Sequence, residues 1–154
     1  MKILGIDPGY ERLGIAVLEK PNMVLFSECF KTSAKLEFAE RLNLIGVEVK
    51  KIIKKYKPDA LAIETLFLTT NQKTVMRVAE ARGVVIYEAA QAGLKIFEAS
   101  PPQIKIATTG YGRADKAQII KMVKMLVKID ASKKSDDELD AIAIALTGLA
   151  HLRR

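Results

Sequence analysis

A chain of 154 residues, 49% of them hydrophobic, suits a single globular domain with a sizeable core. Its 25 Lys and Arg against 18 Asp and Glu leave a formal charge of +7, which favours a polyanionic partner such as nucleic acid, although a Lys-rich solvated surface gives the same count. No apolar run reaches membrane-spanning length, the single Cys29 excludes an internal disulfide, and no signal-peptide pattern precedes the strand-like KILGI, so a reducing cytoplasmic setting is expected.

KILGID (2–7) and ERLGIAVLE (11–19) are short runs rich in Ile, Val and Leu on either side of a Pro8-Gly9 turn signal, and they read as a β-hairpin. MVLFSECFK (23–31) follows the turn at Pro21 and Asn22 as a third strand. From about 34 to 55, Leu36, Leu42, Ile45, Val49, Ile52 and Tyr56 recur at helical spacing, and Lys57-Pro58 closes the helix. The lysines of KKIIKKYK (50–57) share one side of it, with Ile52, Ile53 and Tyr56 toward the core, and read as a solvated face more readily than as a DNA track. DALAIE (59–64) is a fourth strand, 71–92 a second helix and LKIFEA (94–99) a fifth strand. Helices at about 115–128 and 136–151 follow a loop containing TTGYGR. Strands in hairpin order followed by alternating helices and strands predict one α/β domain over 1–154, a mixed five-stranded sheet flanked by helices.

The carboxylates give this outline a chemistry. LGID and LAIE are apolar strands that each end in an acid, Asp7 and Glu64, and neighbouring strands would bring both to one sheet edge. In SDDELDAIAIAL (135–146), Ser135 and Glu138 have the spacing of a capping box, and acids in a first helical turn are favoured by the macrodipole. Asp140 lies beyond that turn, on the face of Asp136 and Asp137 that continues into Ile144, Thr147 and Gly148. Singly, a strand-end acid reads as a solvated loop residue. Together these acids form a cluster in which each raises the pKa of the next, and a divalent cation relieves the conflict. All-oxygen ligands suit Mg²⁺ or Mn²⁺, and the lack of Cys or His near these motifs argues against zinc.

Five segments, GIDPGYERLGIAV (5–17), IETLFLTTN (63–71), AEARGVV (79–85), PPQIKIATTGYGRADKAQI (101–119) and DELDAIAIAL (137–146), resemble in order and spacing the successive motifs of the RuvC Holliday-junction resolvases. The resemblance runs from about residue 2 to residue 151. It implies a ribonuclease H-like fold, a homodimer, and metal-dependent paired nicking of four-way DNA junctions in recombination and repair. A branch-migration helicase complex of the RuvA and RuvB type is the implied protein partner. The family's four catalytic and metal-binding acids fall on Asp7, Glu64, Asp137 and Asp140. Asp136 lies on nearly the same helical face as Asp137; the family's D-x-x-D spacing favours Asp137. Gly14-Ile15-Ala16 stands where the family commonly has Gly-Tyr-Gly, and the C-terminal tail is short.

Phosphodiester hydrolysis needs an activated water, charge stabilisation on the phosphoryl oxygens and support for the leaving 3′ oxygen, which two metal ions supply. Two Mg²⁺ ions, replaceable by Mn²⁺, are therefore expected, with Asp7 bridging, Glu64 and Asp140 holding one each and Asp137 completing the site. Lys105 and Lys116 align with basic residues of the family's active site and read as phosphate contacts or as solvated helix-end lysines. Phe67, with Leu66 before it, is a candidate wedge against a base near the branch point, or a core residue closing its strand. Asn71 caps the following helix or contacts DNA. Ala79, Ala81 and Gly83 fit a dimer seam and fit intramolecular packing equally. The ETLF and TGYGRADK segments argue against a YqgF-type RNA-processing protein, all four acids against a junction-binding module without catalysis, and chain length against a sugar-kinase or actin fold.

Overall fold

The computed structural model describes residues 1–67, 70–127 and 129–152. Strands β1 (Ile3–Asp7), β2 (Arg12–Lys20), β3 (Met23–Lys31), β4 (Ala60–Glu64) and β5 (Lys95–Ala99) form one sheet in the spatial order β3-β2-β1-β4-β5. Short turns join only antiparallel neighbours, so β1, β2 and β3 make a meander. The parallel pairs β1/β4 and β4/β5 need crossovers, and helices α1 (Phe38–Tyr56) and α2 (Gln72–Gln91) supply them. Helices α3 (Pro101–Thr109), α4 (Lys116–Leu126) and α5 (Asp136–Leu152) complete the chain. No helix among the described residues is long and apolar enough to cross a membrane.

The pleat divides the core in two. On β1, Leu4 and Ile6 join Leu61 and Ile63 of β4 in a layer under α1 and α2, packed by Ile45, Val49 and Val85. Ile3, with Ala60 and Ala62, faces the opposite layer, which α5 fills with Ile142, Ala145 and Leu149. By the period of two, Asp7 and Glu64 extend the α5 side of their strands.

Helix α5 lies unusually close to the sheet because small residues line both surfaces. A Cβ built on Gly5 would sit 2.4 Å from the Ala141 carbonyl oxygen, and one on Gly148 would sit 2.8 Å from the Ala62 Cβ. Gly14 is equally constrained, since its Cβ would fall 2.2 Å from the Asp137 carbonyl oxygen. The first glycine of the departed family pattern is therefore kept where the helix crosses, and Ile15 and Ala16 are both buried.

Two elements differ from expectation. Helix α1 begins at Phe38, not near 34, because Glu37 and Glu40 cap each other reciprocally and leave Leu36 exposed outside the helix. Residues 101–109, where the pattern predicts no element, form α3: Ser100 and Gln103 make a capping box, and the prolines occupy the first helical positions, where no intrahelical N–H is needed. The TTGYGR segment consequently straddles the end of α3, with Gly110 in the left-handed conformation as its C-cap.

Candidate active site

The parallel pairing of β1 and β4 sets Ile6 beside Ile63, so the two strand-end acids emerge together at one edge of the sheet. Asp7, Glu64 and Asp140 line a single cleft of about 270 Å³, whose apolar lining includes Pro101, Ile104 and Ile119. Lys105 from α3 and Lys116 from the first turn of α4 reach the same cleft. Helix α3, which supplies Pro101, Ile104 and Lys105, is therefore one wall of the site.

Burial and crowding act on the carboxylates in the same direction. Burial, then the charges of Asp140, Glu64 and Asp137, push the Asp7 carboxyl from an ordinary 3.8 up to about 7. Glu64 is raised by burial and by Asp140. Asp140 is raised by burial too, but Lys116 holds it back: its ammonium donates to Oδ2 at 3.1 Å and lies 3.8 Å from Asp136. The same hydrogen bond raises the Lys116 pKa.

Asp137 is oriented differently. It does not line the cleft; its Oδ2 accepts hydrogen bonds from Arg12 Nε at 2.8 Å and from the Cys29 thiol at 3.6 Å. Arg12, Gly14 and Cys29 lie on the α5 side of β2 and β3, where Gly14 pairs with Cys29 across the ladder. Asp136 is exposed, its side chain 71% accessible.

Several contributors carry no motif. Arg82 donates from Nε to the Glu64 carbonyl at 3.0 Å and pairs with Glu98, pinning the end of β4. Glu138 closes the capping box with Ser135 and accepts from Ser27 on β3 at 3.0 Å, which locks the start of α5 onto the sheet. The Ser135-to-Glu138 spacing signalled that cap; nothing in the sequence pairs Arg12 with Asp137 or Arg82 with Glu64, because each contact joins distant elements.

Of the candidate DNA contacts, Phe67 is 57% exposed just beyond β4, so it does not close the strand as a core residue. Asn71 Oδ1 accepts the Thr74 N–H and caps α2. Leu68 and Thr69, between them, lie outside the described residues.

Comparison with known proteins decides the family. The family model described as crossover junction endodeoxyribonuclease RuvC matches residues 3–148. The chain belongs to the RuvC family. A RuvC from Thermosipho melanesiensis is 46% identical over 148 residues, covering 94% of each chain, and one from Halothermothrix orenii is 44% identical over 149 residues, covering 95% of this chain and 90% of the relative. The structure of T. thermophilus RuvC in complex with a Holliday junction substrate superposes with a TM-score of 0.93 at 30% identity, covering 99% of this chain and 95% of that one. Membership makes the chain an endodeoxyribonuclease on a ribonuclease H-like fold, in a family of metal-dependent nucleases.

The donor set fits a divalent cation. Three carboxylates without thiol or imidazole share the cleft, and burial followed by the charges of the neighbouring acids raises the Asp7 pKa to about 7 despite Lys116, a conflict that a bound cation would relieve. Among the described residues, no three His, Cys, Asp or Glu side chains stand drawn together to hold a cation; Asp140 pairs with Lys116 and Asp137 with Arg12.

Proposed function

We propose that this RuvC-family chain resolves four-way DNA junctions by paired nicking of opposite strands, as part of homologous recombination and repair in the cytoplasm. The observation that carries the reading is the convergence of Asp7, Glu64 and Asp140 on one cleft that also takes Lys105 and Lys116. The junction-bound relative, with the same fold over 99% of this chain, supports four-way DNA as the substrate.

Asp7, Glu64 and Asp140, with Asp137, would hold Mg²⁺, or Mn²⁺ in its place, two ions per site. When bound, the ions supply an activated water nucleophile and neutralise charge on the phosphoryl and leaving oxygens. The residues of the chain do the rest. Asp7, on the central strand between the other groups, gives up its proton when positive charge enters the cleft. Lys116 shifts from Asp140 toward the incoming phosphate, and Lys105 holds the flanking backbone from the opposite wall. Phe67, exposed just beyond the strand that ends in Glu64, would offer a face for a base near the branch point, and Asn71, which caps α2, would contact the DNA backbone with the rest of its amide.

One such cleft cuts one strand, so resolution needs two chains related by a two-fold axis. A homodimer supplies them, and the outer face of α2 is the proposed seam, because Met76 and Tyr87 are 64% and 59% exposed there with the open Gly83 between them. Ala81 does not belong to that seam: it is fully buried in the core beneath α2. A branch-migration helicase of the RuvA and RuvB type is the proposed further partner.

The test is cleavage in Mg²⁺ of a four-way junction, a linear duplex and an RNA–DNA hybrid of matched sequence. Symmetric nicks confined to the junction are expected. Equal cutting of the duplex or preference for the hybrid would sink the assignment.

A further inference from the structure

Arg12 opens β2 on the α5 side of the sheet, and its guanidinium holds one oxygen of Asp137 from two directions, Nε at 2.8 Å and Nη2 at 2.7 Å. The Cys29 thiol points at that same oxygen. Three donors on one atom set its direction, which is away from the cleft that the other three acids share. Asp137 is nonetheless near enough for its charge to be felt at Asp7, and its backbone packs against Gly14 beside Asp7. It is held at the edge of the site with its charge already balanced.

We propose that Arg12 is a positioning residue that competes with the divalent cation for Asp137, keeping the fourth carboxylate out of the ligand set until cation binding displaces the guanidinium. The inference rests on the reading of the acidic cleft as a metal site. Two physical effects give it its sign. Drawing Asp137 inward breaks two charge-assisted hydrogen bonds, and the fixed positive charge of Arg12 repels a dication entering nearby. A residue that merely oriented Asp137 as a ligand would act the other way, strengthening metal binding by its presence. The Arg12 side chain is 49% exposed and that of Asp137 23%, so replacing the arginine leaves a carboxylate that water still reaches and the fold intact.

The experiment is a titration of the full chain with Mn²⁺ alone, without DNA, read by the electron paramagnetic resonance of free ion. Arg12→Gln should bind Mn²⁺ about three- to tenfold more tightly than the parent, the scale of one partly screened charge. Arg12→Lys, which keeps the charge but loses the fork, should fall between them. In an Asp137→Asn background most of the Arg12→Gln gain should vanish, since the two residues act as a pair. Unchanged or weaker binding by Arg12→Gln, or a gain that survives intact without the Asp137 carboxylate, overturns the proposal. If the parent shows no Mn²⁺ binding that Asp7→Asn removes, the metal-site reading falls and this one with it; parent binding with an indifferent Arg12→Gln removes only the role of Arg12.

Discussion

Asp7 occupies a position where a carboxylate is unstable by itself: at the end of the central strand, half-buried, with two more acids on the same cleft. If these acids serve the chemistry, Asp7→Asn, Glu64→Gln and Asp140→Asn should each slow nicking roughly 100-fold or more, the scale of losing one transition-state charge stabiliser. Junction binding in a gel-shift assay should persist or strengthen, because negative charge facing phosphate is removed; rapid cleavage by any variant would release that residue from the site. A second consequence concerns stability. Between 3.8 and about 7 the folded chain keeps the Asp7 proton that the unfolded chain has lost, so metal-free stability falls as pH rises through that window and the full penalty stands above it. The penalty is at most about 4 kcal/mol. Asp7→Asn should therefore raise the melting temperature of metal-free protein at pH 8 and have little effect at pH 4. An equal shift at both values would mean that the gain is packing and not charge.

At the scale of elements, α5 carries the site by how closely it lies on the sheet. From Ala141 to Leu149 every residue of the helix is buried, and the Asp140 that precedes this run is delivered to the cleft by the contact of Ala141 and Ala145 with Gly5. Adding one methyl there should lift the helix. Gly5→Ala is expected to cost roughly 1–3 kcal/mol, seen as a lower urea midpoint, and to slow nicking although no carboxylate is touched. A normal midpoint would show that the helix can retreat without strain. The same geometry explains what the sequence hid: α3 is short and starts with two prolines, so it reads as a loop, yet the structure caps it with Ser100 and Gln103 and sets Ile104 and Lys105 in the cleft.

For the whole molecule, the face bearing Met76, Gly83 and Tyr87 lies on the α1 and α2 layer, across the sheet from the α5 layer whose edge holds the acids. Two chains joined there could leave both clefts free for DNA. Sedimentation at micromolar concentration should report about twice the 17.0 kDa chain mass. Met76→Arg, at an exposed position, should shift the chain toward monomer and uncouple the paired nicks while single nicking survives. Ala81→Arg is not a test of association, because a charge placed in the core beneath α2 unfolds the domain first. A dimer indifferent to Met76→Arg would move the seam elsewhere.

The hairpin around Pro8-Gly9, the alternation of strand and helix after it, and the two strands ending in Asp7 and Glu64 were legible in the sequence, because turn chemistry, periodicity and strand-end acids are local. The series of five motifs carried the family for the same reason: their order is a property of the chain. Tertiary structure alone decided that Asp140 enters the cleft while Asp137 turns to Arg12, that Ala81 is core and Met76 surface, and that α3 forms a wall. Residues 12 and 137 are far apart along the chain, and only the docking of α5 on the sheet brings a guanidinium and a carboxylate to within 2.7 Å. Local pattern specifies which groups a chain possesses, whereas their charge state and direction depend on neighbours that folding supplies.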